Sequence, residues 1–418
     1  MGGGMTIRKI LFWLHLTAGS LGGIVIFIMS LTGVLLAWQR QIINLADRAS
    51  LRPPAPVQQA RMSPENLLAK AVESGRAVPS TLTIRSDSRE PVAAEFGRNS
   101  VIYLDPSTGA VLGAGSTAVR GFFRETENWH RWLAAGIESR AAARGVTGAC
   151  NLLFLGLVLS GLYLWLPKQW SRQKLRLAMW FRRGVTGRAR DWNWHNTIGI
   201  WCAIPLAVIV ACGVVMSYPW ANNLVFRMTG TEPPPPGAGG GRGVAERGGE
   251  VRAADVSFAR IESAGIDAAW RRAESQVAGW KSIALRVPVN ARAPLVFAID
   301  SGNGGRPDLR AQLTLKRGSG DLIKWEPFSA GNAGRRLRSW IRFSHTGEAG
   351  GLPGQTIAAV ASLGATFLTY TGISLALRRL RAAIGPARRM SRPGELAAGD
   401  YPILAPAGAD QKQAAPAD

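Results

Sequence analysis

Apolar residues along this chain are gathered into four long uncharged runs, at residues 11–38, 146–166, 198–218 and 356–377, with polar sequence between them. A hydrocarbon layer of about 30 Å takes about 20 helical residues to cross, so each run is long enough to span a bilayer. The pattern predicts transmembrane helices over 8–38, 146–167, 194–220 and 355–378. Trp38, closing the first, is an interfacial aromatic.

The polar stretches follow other periods. In 39–119, MSPENLLAKAVES offers Ser63 as a helix cap, Pro64 at the first helical position and Glu65 in the first turn. STLTIRS, PVAAEF and SVIYLDPSTGAVLG then read as short strands, the last pair turned at Asp-Pro-Ser-Thr-Gly. Residues 253–330 repeat that order, with helical VSFARIESAGIDAAWRRAES before strand-like KSIALRVP, PLVFAID, AQLTLKR and LIKWEPF. Residues 120–145 and 335–354 predict amphipathic approaches to the second and fourth spans. The Pro/Gly-rich 231–252 and the Ala/Gly/Pro-rich 382–418 hold too little apolar surface to order themselves and predict a flexible tether and a disordered tail. The expected fold is a membrane α-helical protein of four transmembrane helices, arranged as two hairpin repeats, with two small α+β domains between the helices of each repeat.

A net charge of +23 on 418 residues invites a nucleic-acid reading, but the basic residues concentrate in 168–193 and at Arg378, Arg379 and Arg381 after the fourth run. The excess of Lys and Arg in cytoplasmic loops explains that placement, so the expected partner is a lipid bilayer and not a nucleic acid. Residues 168–193 then form a cytoplasmic loop, both termini lie inside, and both polar domains lie outside. Cys150, Cys202 and Cys212 all sit in apolar runs without Cys-x-x-Cys spacing, which argues against a disulfide framework. The amino-terminal run lacks a small-x-small cleavage site and is expected to stay as an anchor.

Each of the four histidines stands at the mouth of a different run. LHLTAG and WHNTIG superpose His15 and Gly19 on His195 and Gly199, and Gly33-Val34 then falls on Gly213-Val214. Topology sorts the histidines into an inner pair, His15 and His195, and an outer pair, His130 and His345. An ionisable group at membrane depth is costly and reads as a site. Two imidazoles from facing helices, with Gly19 and Gly199 one turn on to let a flat ring approach, are what holds the iron of a b-type haem without covalent attachment. Two pairs predict two b-type haems. Their carboxylates would call on Arg131 and Arg342 outside, which run against the positive-inside trend, and on Arg8, Lys9 and Arg190 inside, which positive-inside placement or lipid headgroups explain more simply. A tetrahedral zinc or copper site would want cysteine, methionine or carboxylate converging on the histidines, which the spacing does not supply. The bland reading is four interfacial histidines with structural hydrogen bonds.

The chain also resembles the PepSY-associated transmembrane family of bacteria. The resemblance lies in the LHLTAG and WHNTIG span openings, the SLTGVLLAW and LSGLYLWLP span endings, the strand pair VIYLDPSTGAVLG and the FSHTGEAGG approach to the last span. It implies that the outer domains are PepSY-like and that the protein sits in the bacterial inner membrane. It further implies a haem-dependent reductase that passes electrons to a ferric siderophore outside, converting Fe3+ to Fe2+ for iron release. His15 and His195 would ligate the inner haem, and His130 and His345 the outer one. No nicotinamide or flavin fingerprint is visible in the cytoplasmic stretches, so quinol or a separate donor would supply the electrons. The alternative implied by the same family is a non-enzymatic, membrane-anchored PepSY protein that binds or regulates a periplasmic partner.

Overall fold

The computed structural model describes residues 6–52, 60–74, 78–97, 100–167, 171–235, 265–288 and 293–384. The expected tether and tail fall outside these residues, apart from 231–235 and the helical 382–384. In the first half, α1 (Ile7–Leu36), α2 (Gln39–Ser50) and α3 (Pro64–Glu73) precede strands β1 (Thr81–Arg85), β2 (Val92–Phe96), β3 (Ser100–Leu104) and β4 (Val111–Gly113). Helices α4 (Thr117–Trp132) and α5 (Arg140–Trp165) follow. The second half runs through α6 (Arg172–Met179), α7 (Gly187–Ser217), α8 (Pro219–Met228) and α9 (Ile266–Gln276). Strands β5 (Ser282–Arg286), β6 (Leu295–Asp300), β7 (Arg310–Leu315) and β8 (Leu322–Pro327) lead to α10 (Ala333–His345) and α11 (Gly351–Ile384).

Four helices are long and apolar enough to cross a membrane, and they contain α1, α5, α7 and α11. Helix α1 packs against α5 and α11, and α7 packs against the same two, so α1 and α7 stand at opposite corners of a four-helix bundle. Large apolar side chains point away from it: Leu21 is 77 % and Ile204 is 78 % exposed. Such a surface is stable only against lipid or another apolar partner. Close approach inside the bundle relies on small residues, as at Gly23, where a Cβ would meet Ile373 of α11 at 3.1 Å.

Several helices outrun their apolar cores. α7 begins at Gly187, inside the stretch expected as a cytoplasmic loop, because its polar first turns are satisfied locally. Asn193 Oδ1 accepts from the Arg182 amide at 2.9 Å, and its Nδ2 donates to the Trp180 carbonyl at 3.3 Å. The two approach segments are helices that run up to sharp corners. α4 stops where Leu133 and Ala134 take left-handed backbone (φ 51° and 57°), and α5 starts six residues before its apolar run, at Arg140. The corner from α10 to α11 uses Gly347 (φ 74°), where a Cβ would lie 2.5 Å from the Gly354 carbonyl oxygen. Only glycine fits there.

The strands form one eight-stranded antiparallel sheet in the order β4-β3-β2-β1-β5-β6-β7-β8. This corrects the expectation of two separate outer domains. The eight strands and the first helix occur where the pattern predicts them, and the second helix is present from Ile266, residues 256–264 of that expectation lying outside the described residues; but β1 and β5 pair edge to edge, with Leu82 opposite Leu285 and Ile84 opposite Ile283. Pairing removes two open edges that would otherwise invite aggregation. One core results, in which Leu67 and Leu68 of α3, Ile266 and Trp270 of α9, and Leu285, Phe297 and Leu313 of the sheet are all buried. The two helices also cap each other: the Glu65 amide donates to Asp267 Oδ1 at 2.9 Å and the Asp267 amide to Glu65 Oε1 at 3.2 Å. Within the first half, Ser63 Oγ accepts from the Asn66 amide at 3.3 Å, and Asp105 Oδ1 accepts from the amides of Ser107 and Thr108 in the β3–β4 turn.

Two polar knots tie the sheet to the membrane helices. Asp47 of α2, 2 % exposed, accepts from Tyr103 Oη of β3 at 2.8 Å, the Ser116 amide at 2.8 Å and the Arg120 guanidinium of α4. On the other side Arg40 of α2 pairs with Glu348 at 3.0 Å and donates to the Asn303 carbonyl at 3.0 Å.

Candidate functional site

The four histidines meet two by two. His15 of α1 and His195 of α7 face each other across the bundle diagonal with ring centres 6.3 Å apart and planes at 86°. His130 of α4 and His345 of α10 do the same alongside the other end of these helices, at 6.3 Å and 59°. α4 lies against α1 and α10 against α7, so each approach helix delivers its histidine to the same side as the span it rests on. His130 is anchored at Thr32, 17 residues along α1 from His15, which separates the pairs by roughly 25 Å at the helical rise.

Every imidazole has its Nδ1 occupied. His15 Nδ1 lies 2.9 Å from Ser160 Oγ, His195 Nδ1 lies 3.0 Å from Thr371 Oγ1, and His130 Nδ1 lies 3.0 Å from Thr32 Oγ1. Each hydroxyl already donates its proton one turn back along its own helix, Ser160 to the Gly156 carbonyl at 2.6 Å, Thr371 to Phe367 at 2.8 Å and Thr32 to Ile28 at 2.6 Å. A hydroxyl has one proton, so toward the histidine it accepts. His345 Nδ1 faces the Ile209 carbonyl oxygen at 2.8 Å, which can only accept. The network therefore assigns the proton to Nδ1 in all four rings and, among the described residues, leaves each Nε2 with a bare lone pair. A second hydrogen bond that fixes tautomer and ring plane is the usual support of a metal-bound imidazole.

The donor set can be tested against a b-type haem. One metal atom between two imidazoles needs two metal–nitrogen bonds of about 2 Å plus the reach from each ring nitrogen to its centre, about 6 Å in all. Both pairs meet that demand. Glycine gives the inner rings their room: a Cβ at Gly161 would come within 3.2 Å of His15 Cε1 and one at Gly372 within 3.4 Å of His195 Cε1, whereas one at Gly33 would make only ordinary contact with His130 Cε1, at 3.6 Å. At Gly19 and Gly199 a Cβ would touch only a facing leucine, Leu157 at 3.8 Å and Leu368 at 3.7 Å, with space otherwise open. Among the described residues no group of three or more His, Cys, Asp or Glu converges as a protein-only metal site. The residues present fit a planar group that brings its own equatorial ligands.

The basic candidates divide. Arg8 donates to the carbonyls of Leu164 (2.5 Å) and Leu166 (3.2 Å), closing the end of α5, while the Lys9 side chain is exposed. Arg190 pairs with buried Asp191 at 3.0 Å, and Asp191 also accepts from Ser374 Oγ at 2.8 Å. Outside, Arg131 pairs with Glu127 at 2.7 Å and lies over Trp132, and Arg342 lies beside Phe343. Sequence reasoning missed Ser160, Thr371, Thr32 and Ile209, which orient the rings. A signal was present in Ser160-Gly161 and Thr371-Gly372, where the second and fourth apolar runs carry the same hydroxyl-glycine pair.

No curated protein matches this chain. A family model described as the PepSY-associated TM region matches residues 12–379, which takes in both histidine pairs, the sheet and all but the chain-terminal ends of the first and last long helices. The chain is a multi-pass membrane protein and belongs to the PepSY-associated transmembrane family.

Proposed function

We propose that this protein is a bacterial inner-membrane electron-transfer reductase that holds two b-type haems and reduces ferric siderophores on the periplasmic side, with both termini cytoplasmic. The observation that supports it most is two pairs of imidazoles with ring centres 6.3 Å apart, each ring fixed through Nδ1 so that its Nε2 keeps a lone pair. A haem at each pair supplies a one-electron Fe(III)/Fe(II) couple near each membrane face. His15 and His195 would hold the inner group, and His130 and His345 the outer. Ser160 and Thr371 hold the inner rings in plane, and Thr32 and the Ile209 carbonyl hold the outer ones. Gly161 and Gly372 keep the edges of the inner imidazoles free of side chains. Arg131 and Arg342 are placed by sequence for the carboxylates of the outer group. Each ferric chelate takes up one electron as Fe3+ becomes Fe2+, and quinol or a separate reductase donates the electrons from within.

The test uses purified protein reduced with dithionite and freed of excess reductant. Adding a ferric siderophore together with a ferrous chelator is expected to bleach the reduced haem bands while the ferrous complex appears in equal electron count. Reduced bands that persist with no ferrous complex would overturn the assignment of substrate.

A further inference from the structure

The outer pair is built asymmetrically. On α10, Arg338, Arg342 and His345 stand at i, i+4 and i+7, one helix face, whereas the corresponding face of α4 carries Phe123, Glu127 and His130. Arg338 is half-buried; its Nε donates to the neutral Asn222 Oδ1 of α8 at 2.9 Å, and among the described residues no carboxylate comes within ion-pair reach of it. Its other charged neighbour is Arg342, and burial first, then that like charge, push the Arg338 guanidinium down from its ordinary value. Nearby Arg40 and Arg310 have acids of their own, Glu348 at 3.0 Å and Asp300 at 3.1 Å. A partly buried guanidinium without an anion, next to a second one, is unfavourable unless a ligand brings the missing charge.

We propose that Arg338 and Arg342 form a carboxylate-binding site that opens beside the outer histidine pair. A planar guanidinium takes a carboxylate through two parallel hydrogen bonds, which a lipid-facing lysine would not do. The carboxylate has two sources, the ring substituents of a group bound between His130 and His345, or a free polycarboxylate such as a ferric chelate. The first source rests on the haem reading, and the second does not.

Full-length protein in a neutral detergent tests it with two probes. The first is haemin against haemin dimethyl ester, read as pigment retained per chain. The second is citrate, read as a rise in melting temperature. If the carboxylates belong to the bound ring, wild type prefers haemin over its diester by about tenfold and Arg338→Gln takes up both alike. If they are free, citrate raises the melting temperature of wild type and leaves Arg338→Gln unmoved. Should Arg338→Gln fail to fold, Arg338→Lys, which keeps the charge and loses the fork, shows a reduced effect in the same assays. The proposal is overturned if the variants match wild type with both probes, or if phosphatidylglycerol vesicles alone give the Arg338-dependent stabilisation. A chain that takes up no pigment sinks the haem reading, and the citrate assay alone then decides this one.

Discussion

His15 and His195 come from helices that do not pack on one another, yet their rings are 6.3 Å apart because α5 and α11 wedge the two helices into opposite corners of one bundle. Each histidine pair thus depends on both halves of the chain. Replacing His195 by alanine is expected to remove the inner haem and leave the outer one, halving the haem per chain in a pyridine haemochrome assay. His345→Ala should halve it too, and the double variant should be colourless.

The hydroxyl behind each ring gives a finer test. Thr371→Val keeps the shape of the side chain and removes the acceptor of His195 Nδ1–H, a bond of 3.0 Å. Loss of such outer partners weakens metal sites by about 10- to 100-fold. Haem retention during dilution should fall by that order at the inner site, with the helix content unchanged by circular dichroism. Gly161→Val should act more severely, since even a Cβ there meets His15 Cε1 at 3.2 Å.

The spans and the histidines were legible in the sequence because both carry a large penalty if misplaced: a run of uncharged residues has few soluble alternatives, and an imidazole in lipid has to be used. The strands were legible through alternation and turn chemistry, down to the cap at Ser63 and the turn at Asp105. What periodicity does not encode is which edges meet. Leu82 and Leu285 are 203 residues apart, and nothing local to either says that β1 pairs with β5. The same holds for Ser160, Thr371 and Thr32. In sequence they look like ordinary helix hydroxyls bonded one turn back, and only the packing of α1 on α5, of α7 on α11 and of α4 on α1 brings an imidazole to their remaining lone pairs.

That seam predicts shared stability. Leu285 is fully buried opposite Leu82, so Leu285→Asp would place a carboxylate in the common core with nothing to pair it, a change of several kcal/mol, at least about 3. Limited proteolysis should then release fragments from both halves of the sheet together. Cleavage confined to residues 265–330 would mean that the halves are independent.

Asp47, Tyr103 and Arg120 hold α4, and with it His130, against α2. Burial, and then the hydrogen bond to Asp47, push the Tyr103 phenol up to about 12 from an ordinary 10.0. A raised folded-state value means that the unfolded chain ionises first. The stabilisation is therefore full below pH 10 and is lost as pH rises toward 12. Melting temperature should fall across that window in wild type, and Tyr103→Phe should show a shallower fall. Asp47→Asn leaves Arg120 without its carboxylate and should cost about 2 kcal/mol or more at neutral pH.

Iron porphyrin between the paired imidazoles is the central proposal, and the most direct measurement is haem stoichiometry in the purified full-length protein by pyridine haemochrome absorbance. The expected result is a b-type spectrum with two haems per chain. A colourless protein, or pigment that survives removal of both His195 and His345, would contradict it.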